Sequence, residues 1–373
     1  MTPSKDHPDI RHPRPVSVIM SRMSDAKTPI NVAVIGTGRM GTHHTRTAAN
    51  APFANLLAVV DVDQDRAKAL ADQYGCETCK DVDELLARFP QVQAVTVSVP
   101  TVYHVPVAEP LLKKGIACLV EKPLAATPQD ARKLADLAKA NNTVLQVGHT
   151  ERFNPGLRAV SALNLKPRFM DVQRVSPMTF RSLDIGVVMD MMIHDLDIVL
   201  HLANSKLKYV HAVGSSIISD HEDICNARLT FESGCVVNIT ASRMALTTER
   251  RMRLFSEDAF VNLDYATRSG ILVRQSAHTD KLQEIRQLVS AGQDLSSMKY
   301  TDLVHVEPLS FDLPDGHEDQ LTAQLDCFLD SVREGKPVVV DGDAGSAAVE
   351  AAQRIVQSIA ENQWQENPDS VAY

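Results

Sequence analysis

A glycine-rich loop directly behind a short apolar run is the feature that most constrains how this chain can fold. Residues 32–35 are all apolar, and before a helix-like stretch comes the loop Gly36-Thr37-Gly38-Arg39-Met40-Gly41. In a strand–turn–helix unit the first glycine permits a tight turn, the second lets backbone N–H groups approach a pyrophosphate, and the third lets the helix pack close to the strand. We therefore expect these six residues to bind a dinucleotide.

An acidic residue further along supports the same interpretation. Asp61 ends the next predicted strand, about 20 residues after the last glycine, where a carboxylate accepts hydrogen bonds from the adenosine ribose and repels a 2′-phosphate. The expected cofactor is therefore NAD. Because Arg39 and Arg66 could offset the charge of Asp61, the use of NADP stays open, and so does a plain solvated role for Asp61.

The composition limits the class of protein. The 373 residues are 44% hydrophobic and 23% charged, which suits an ordinary soluble globular protein with two domains. The formal net charge of −9 argues against a general nucleic-acid binder. No apolar stretch reaches the roughly 18 residues of a membrane span. We expect a small-molecule partner, with neither nucleic acid nor a membrane.

Cysteine usage and the N-terminal segment indicate the compartment. Cys76 and Cys79 form a lone C-x-x-C pair without the further ligands of a structural zinc site, so we expect no metal and a reducing cytoplasm. Residues 1–28 are rich in Pro, Arg, His and Ser, and their apolar patch is too short for the core of a signal peptide. We expect a disordered leader there, with Met23 as an alternative start.

The sequence pattern changes near residue 150. Over residues 29–150, apolar runs alternate with amphipathic helical stretches, which predicts an α/β Rossmann domain with a doubly wound parallel sheet. Residues 151–373 predict an α+β domain, with a hairpin at Ser233-Gly234 whose first strand alternates apolar and polar residues, and with an apolar helix over about 186–201. We expect a mobile loop or short helix over 276–310, and a last helix that packs back on the first domain.

A lysine follows the fifth predicted strand of the first domain, in the motif Glu121-Lys122-Pro123. In open parallel sheets, ligands bind beyond the carboxyl ends of the strands. An ammonium group there can hydrogen-bond a substrate hydroxyl and favour its alkoxide as hydride leaves. Together with the glycine loop, Lys122 therefore indicates hydride transfer. The alternative is a surface lysine in a turn before Pro123.

The apolar helix carries an aspartate and a histidine four residues apart, Asp190 and His194. Residues at this spacing share one helix face, and Asp197 and His201 lie further along that side. A buried carboxylate must be paired or line a cavity, and a histidine is suited to take a hydroxyl proton near neutral pH. Two alternatives stay open, a structural Asp–His pair and a zinc site.

The combination of these motifs resembles the Gfo/Idh/MocA family, named for glucose-fructose oxidoreductase, inositol dehydrogenase and rhizopine catabolism. The resemblance covers residues from about 30 to the C-terminus. Its markers are residues 36–41, Pro100 with His104, Glu121-Lys122-Pro123, and Asp190 with His194. It implies that Lys122, Asp190 and His194 are catalytic, with His194 as the general base. It also implies that Pro100, His104, Glu121 and Lys122 lie at the cofactor. It implies further that residues 151–373 form the domain for substrate binding and oligomerisation, with an open, mostly antiparallel sheet whose exposed face joins a homodimer or homotetramer.

Three further stretches, 148–155, 193–197 and 240–243, look similar to the subfamily of UDP-N-acetylglucosamine 3-dehydrogenases. That resemblance implies oxidation of the sugar 3-hydroxyl, giving a keto sugar for a partner aminotransferase in lipid A biosynthesis. The chain departs from the general family where Asp184-Ile185-Gly186 replaces the usual Gly-Gly run before the catalytic helix. Alternatives on the same scaffold are an inositol or free-sugar dehydrogenase, a biliverdin-type reductase, and a non-catalytic NAD-binding sensor.

Polar residues around the predicted site suit a phosphorylated substrate, because the guanidinium group of arginine binds phosphate oxygens in pairs. We expect substrate contacts from Arg152, Asn154, Arg174, Arg181, Asp190, His194 and Arg243. The arginines over 250–253 suit a solvated or interface role equally well.

Overall fold

The computed structural model describes residues 28–179, 184–275, 279–294, 304–309, 311 and 319–362. The expected leader up to residue 27, with Met23, and the expected substrate ligand Arg181 lie outside the described residues.

The first part of the chain alternates strands and helices. In chain order the elements are β1 Ile30–Ile35, α1 Arg39–Asn50, β2 Ala54–Val60, α2 Gln64–Tyr74, β3 Glu77–Cys79, α3 Val82–Arg88, β4 Ala94–Val97, α4 His104–Lys113, β5 Ala117–Glu121, α5 Pro128–Ala140 and β6 Leu145–Gly148. Single 3-10 turns follow β4, at Thr101–Tyr103, and β6, at Thr150–Phe153.

These strands form one parallel sheet in the order β3-β2-β1-β4-β5-β6. Side chains of β1 alternate between its two faces, with Ala33 and Ile35 in one core cluster and Val32 and Val34 in the other. Both faces are covered by helices, which explains why the strands read as continuous apolar runs. The predicted doubly wound Rossmann domain is confirmed.

The second part of the chain builds a larger sheet. Its elements are α6 Pro155–Ala162, β7 Phe169–Val175, a π-helical turn Val188–Met192, α7 Ile193–Ala203, β8 Leu207–Ser215, β9 Ile224–Phe231, β10 Val236–Ser242, β11 Glu249–Phe255, β12 Ala259–Asp264, β13 Ser269–Gln275, α8 Thr279–Ser290, β14 Val304–Pro308, α9 Gln320–Glu334 and α10 Gly342–Glu361.

The strand order in this sheet is β14-β13-β12-β11-β7-β10-β9-β8, and every described pair is antiparallel except β7 with β10. The predicted mostly antiparallel sheet and the β9–β10 hairpin are confirmed. One face packs on the π-helical turn and α7, in a core that includes Met192, Leu196 and Val199. The segment expected to be a loop or short helix contains α8 and β14. Residues 291–294 and 309 are described between or beside these elements, and the rest of the segment lies outside the described part.

The two sheets are brought together by the C-terminal helices. Helix α10 packs on α5 and β6 of the first domain and on α7 and β8 of the second, and α9 packs on α1. The carboxyl ends of β5 and β6 therefore lie close to the helix that carries Asp190 and His194. No described helix combines the length and apolar character needed to cross a bilayer.

Candidate active site

The glycine loop has the geometry of a phosphate cradle. Gly36 has φ +92°, and a side chain on Gly41 would meet the carbonyl oxygen of Gly36 at 1.8 Å. Gly38 stands at the N-cap of α1 without a capping side chain, so the first N–H groups of that helix are left for an anion. A Cβ on Gly38 would meet nothing within 4 Å, so the loop is open there. These residues fit a bound dinucleotide.

Asp61 is held by the glycine loop and by Arg66. Its carboxylate accepts hydrogen bonds from the backbone N–H and the hydroxyl of Thr37, at 2.6 and 2.8 Å, and from Nη2 of Arg66 at 3.0 Å. Burial alone would raise the pKa of Asp61, but these bonds outweigh it and hold the pKa below its usual value. A cavity of about 390 Å³, lined by Gly38, Arg39 and Arg66 among others, opens beside the pair. Arg66 therefore already offsets the charge of Asp61.

Lys122 and Asp190 come together from the two domains. Nζ of Lys122, just beyond β5, donates to the backbone carbonyl of Asp190 at 2.7 Å and lies 3.6 Å from Oδ1 of its carboxylate. Burial lowers the pKa of Lys122, although Asp190 and Glu121 act against the shift. The lysine is therefore held at the junction of the domains, with its charge only partly offset.

The turn that carries Asp190 is π-helical, a feature that the sequence did not predict. The N–H of Ile193 bonds to the carbonyl of Val188, five residues earlier. Single π-helical turns occur frequently at functional sites, because they disturb the regular hydrogen bonding of an α-helix. Here the carbonyl of Asp190, within the turn, is the one that holds Lys122.

His194 lies in the first turn of α7, and its Nδ1 is buried without a hydrogen-bond partner among the described residues. Burial, followed by the positive charges of Lys122 and Arg174, holds the pKa of His194 well below its usual value. The imidazole is therefore neutral at pH 7, as a proton acceptor must be. The carboxylate of Asp190 makes its ion contact with Lys122 and does not bond Nδ1 of His194.

The loop around Lys122 is fixed by two buried histidines. His104, at the start of α4, has Nδ1 2.9 Å from the carbonyl oxygen of Pro123 and Nε2 2.9 Å from that of Val99, next to Pro100. Glu121 contacts Nε2 of His44 at 2.7 Å. Sequence reasoning missed His44, although its spacing from Gly41 places both on the buried side of α1.

The described arginines that were expected to bind substrate have carboxylate partners inside the protein. Arg174 pairs with Asp195 at 2.7 and 2.9 Å and with Glu151 at 3.1 Å. Arg152 lies 3.1 Å from Asp197.

Arg243 and Asn154 are likewise engaged within the protein. Arg243 donates to Asp223 at 2.8 Å and to the carbonyl of Ile185 at 3.0 Å. Asn154 caps α6 by accepting from Gly156. Their role as substrate ligands, like that of Arg152 and Arg174, stays a prediction, and their geometry is that of groups holding the protein around the site.

A second imidazole, that of His149, lies near His194 and was also missed from the sequence. The rings of His149 and His194 are 6.4 Å apart and nearly perpendicular. The available signal was its position, because it directly follows β6 at the carboxyl edge of the parallel sheet, where ligands bind. Among the described residues, no group of three or more His, Cys, Asp or Glu side chains is placed to hold a metal ion.

Comparisons with known proteins agree with this architecture. Residues 30–149 match the family model described as an oxidoreductase family with an NAD-binding Rossmann fold, and residues 157–261 match the GFO/IDH/MocA C-terminal domain. UDP-N-acetylglucosamine 3-dehydrogenase of Acidithiobacillus ferrooxidans is 31% identical over 327 residues, which cover 87% of this chain and 96% of that protein. Its solved structure, titled GnnA, superposes with a TM-score of 0.78 at 30% identity, covering 89% of this chain and 98% of that chain.

Two further proteins extend the comparison. Inositol 2-dehydrogenase of Rhizobium meliloti is 24% identical over 342 residues, covering 89% of this chain and 97% of that protein. The structure of GenD2 from gentamicin A biosynthesis in complex with NAD shares the fold, with a TM-score of 0.73 at 21% identity, and covers 91% of this chain and 97% of that one. This chain therefore belongs to the Gfo/Idh/MocA family and is an NAD-binding dehydrogenase that acts on hydroxyl groups.

Proposed function

We propose that the protein oxidises the 3-hydroxyl of UDP-N-acetylglucosamine with NAD, giving the 3-keto nucleotide sugar. The observation that carries the proposal of a catalytic centre is the contact between the domains, in which Lys122 lies against the turn that carries Asp190, one helical turn before His194. The choice of substrate is supported by similarity to a UDP-N-acetylglucosamine 3-dehydrogenase along 96% of that relative's length.

The side chains divide the proton chemistry between them. His194, kept neutral by burial, accepts the proton of the substrate hydroxyl. The ammonium group of Lys122 stabilises the negative charge that develops on the same oxygen. The carboxylate of Asp190, 3.6 Å from Nζ of Lys122, keeps the lysine in place and opposes the loss of its charge.

The glycine loop and the first turn of α1 hold the pyrophosphate, and Asp61 with Thr37 holds the adenosine ribose. Bound NAD supplies the carbon that accepts the hydride. Pro100, His104 and Glu121 shape the sheet edge at which the nicotinamide lies.

We also propose roles for the two domains, a compartment and a partner enzyme. Residues 29–150 form the dinucleotide-binding domain, and residues 151–373 bind the sugar and contact other copies in a homodimer or homotetramer. The enzyme acts in the cytoplasm, and an aminotransferase of lipid A biosynthesis consumes its keto product.

A substrate panel tests this proposal. UDP-N-acetylglucosamine, UDP-glucose, free N-acetylglucosamine and myo-inositol are each incubated with NAD, and NADH is followed by its absorbance. We expect UDP-N-acetylglucosamine to exceed myo-inositol in kcat/KM by at least about 100-fold, since the missing nucleotide removes most of the binding contacts. Deuterium at C3 of the sugar should slow turnover and appear in NADH, whereas deuterium at C4 should do neither.

The inositol alternative has its own support in the R. meliloti relative and predicts the reverse order of substrates. A sensor would instead show no turnover with any substrate. In that case NAD would still raise the melting temperature, because a ligand at 100 times its Kd adds about 2.7 kcal/mol of stability.

A further inference from the structure

The imidazole of His149 is fully buried, yet neither of its ring nitrogens has a hydrogen-bond partner among the described residues. The other buried imidazoles of the first domain, those of His44 and His104, both have partners. A buried polar atom left without a partner costs about 1–3 kcal/mol, so such an atom requires a reason.

The position of His149 in the fold suggests why its ring nitrogens are left without partners among the described residues. Strands β5 and β6 pair in parallel with Glu121 opposite Gly148, so Lys122 and His149 are the first residues beyond two neighbouring strand ends. This is the edge where ligands of parallel sheets bind. His149 therefore stands beside the lysine that the proposed reaction uses.

His194 lacks what a directional base needs. If Nε2 is to accept the hydroxyl proton, Nδ1 must carry the other proton and donate it to an acceptor. The charged groups that act on the pKa of His194 are Lys122, just beyond β5, Arg174 on β7 and Arg250 on β11. Lysine and arginine side chains only donate hydrogen bonds. His149 is the further titratable group acting on His194: a positive charge on it would lower the pKa of His194, whereas its neutral ring has a lone pair to offer.

The distance between the two rings sets the form of the contact. A centroid separation of 6.4 Å at 89° leaves the ring nitrogens too far apart for a direct hydrogen bond, so a hydrogen-bonded link between them needs a bridging water. The carboxylate of Asp197, on α7, is the charged group that acts most on His149, ahead of Lys122, Arg152 and Glu121. If the N–H side of the His149 ring faces this negative charge, its lone pair is left for the bridge.

We propose that His149 is a positioning residue, which accepts the Nδ1 proton of His194 through one bridging water and so fixes Nε2 of His194 as the base. This inference rests on the proposed role of His194. Burial keeps His149 itself neutral, because it lowers the pKa of the ring. The neutral ring supports His194 without adding another positive charge to the site.

The test compares His149→Phe, which keeps the bulk of the ring, with His149→Gln, which keeps a polar acceptor. We expect H149F to lower kcat at least about tenfold, since a base without its orienting partner loses part of its effect, and to change the KM of sugar and NAD by less than about threefold. H149Q should retain more activity than H149F. The control H201Q removes a half-exposed imidazole from α7, the helix that carries His194, and should keep wild-type kcat.

The pH profile gives a second readout. An acceptor at Nδ1 stabilises protonated His194, so its loss lowers the pKa of His194, and the acidic limb of kcat/KM in H149F should move to lower pH. A merely structural role for His149 would leave that limb unmoved.

A double-mutant cycle completes the test. In the His194→Ala background, adding H149F should cost less than about twofold further, because His149 acts through His194. Losses that multiply, or an H149F enzyme with wild-type kcat and pH limb, overturn the inference. If wild-type protein fails on UDP-N-acetylglucosamine, the proposed function fails instead, and the same cycle is run on whichever substrate of the panel turns over.

Discussion

The three buried arginines in the described part of this enzyme and the imidazoles of His149 and His194 differ in the partners that surround them. Arg152, Arg174 and Arg243, here called the arginine frame, each lie against a carboxylate within 3.1 Å. His149 and His194 each have a buried ring nitrogen without a partner among the described residues.

This difference separates two kinds of work. An arginine that lies against a carboxylate helps to hold the protein together. An imidazole nitrogen without a partner is available to a substrate or a proton. We infer that the frame fixes the second domain around the site and that the imidazoles take part in the reaction. A frame arginine that binds substrate, or an imidazole that only fills space, would contradict this division of roles.

The largest effect is expected from Arg174→Met. This change leaves Asp195 buried without its cation and leaves Glu151 with only the longer contact to Arg250 at 3.5 Å, which should cost about 3–5 kcal/mol of the free energy of unfolding. Chemical denaturation measures it. The control Arg253→Met breaks a more exposed pair with Asp171 and should cost less than about 1 kcal/mol. Should R174M keep its stability while the KM for the UDP-sugar rises about tenfold or more, Arg174 is a substrate ligand, as the sequence predicted.

Substitution of the proposed catalytic residues should lower activity rather than stability. Lys122→Ala or His194→Ala should lower turnover by at least about 100-fold, which is about 2.7 kcal/mol in the barrier, with NAD affinity nearly unchanged. Steady-state kinetics and NAD titration measure the two quantities. Unchanged turnover in either variant removes that residue from the mechanism.

The sequence predicted best those features that are local. Each of these site features follows a mostly apolar strand by at most a few residues: the glycine loop follows β1, Asp61 follows β2 and Lys122 follows β5. The pattern that predicts the strand therefore also predicts the site residue. Asp190 and His194 were found because they interrupt a strongly apolar helix. The π-helical form of that turn was missed, since the residues 188–192 differ in no obvious way from those of an ordinary helix.

What the sequence could not supply is the pairing across long separations. Arg174 meets its partners 21 and 23 residues away, and the fold alone brings them together. Strand β11 was not predicted because only Met252 and Leu254 face the core, between charged residues that face outward. The orphaned nitrogens of His149 become visible only once every neighbour has been placed.

Cofactor preference offers a smaller effect at the other end of the site. Asp61→Ala removes the acceptor proposed for the ribose hydroxyls and releases Arg66, whose guanidinium is then free to bind a 2′-phosphate. The ratio of kcat/KM for NAD to that for NADP should fall by about tenfold or more, since each lost or gained charge-assisted bond is worth about 1.5–3 kcal/mol. Arg66→Ala is the matched control and should raise the ratio. A ratio that both variants leave unchanged would contradict the role of Asp61.

The pH profile of the wild-type enzyme should show the mildest consequence of the contrast. His194 works as a base only when neutral, and its lowered pKa means that kcat/KM stays high as pH falls below 6.5, the usual value for histidine. Lys122 works only when charged, and its lowered pKa means that activity declines before pH reaches 10.5, the usual value for lysine. Both limbs are read from kcat/KM with saturating NAD, and the alkaline one should vanish from the residual activity of Lys122→Ala. An acidic limb at or above pH 6.5 would show that the site does not keep His194 neutral, and the distinction between orphaned imidazoles and paired arginines would lose its functional meaning.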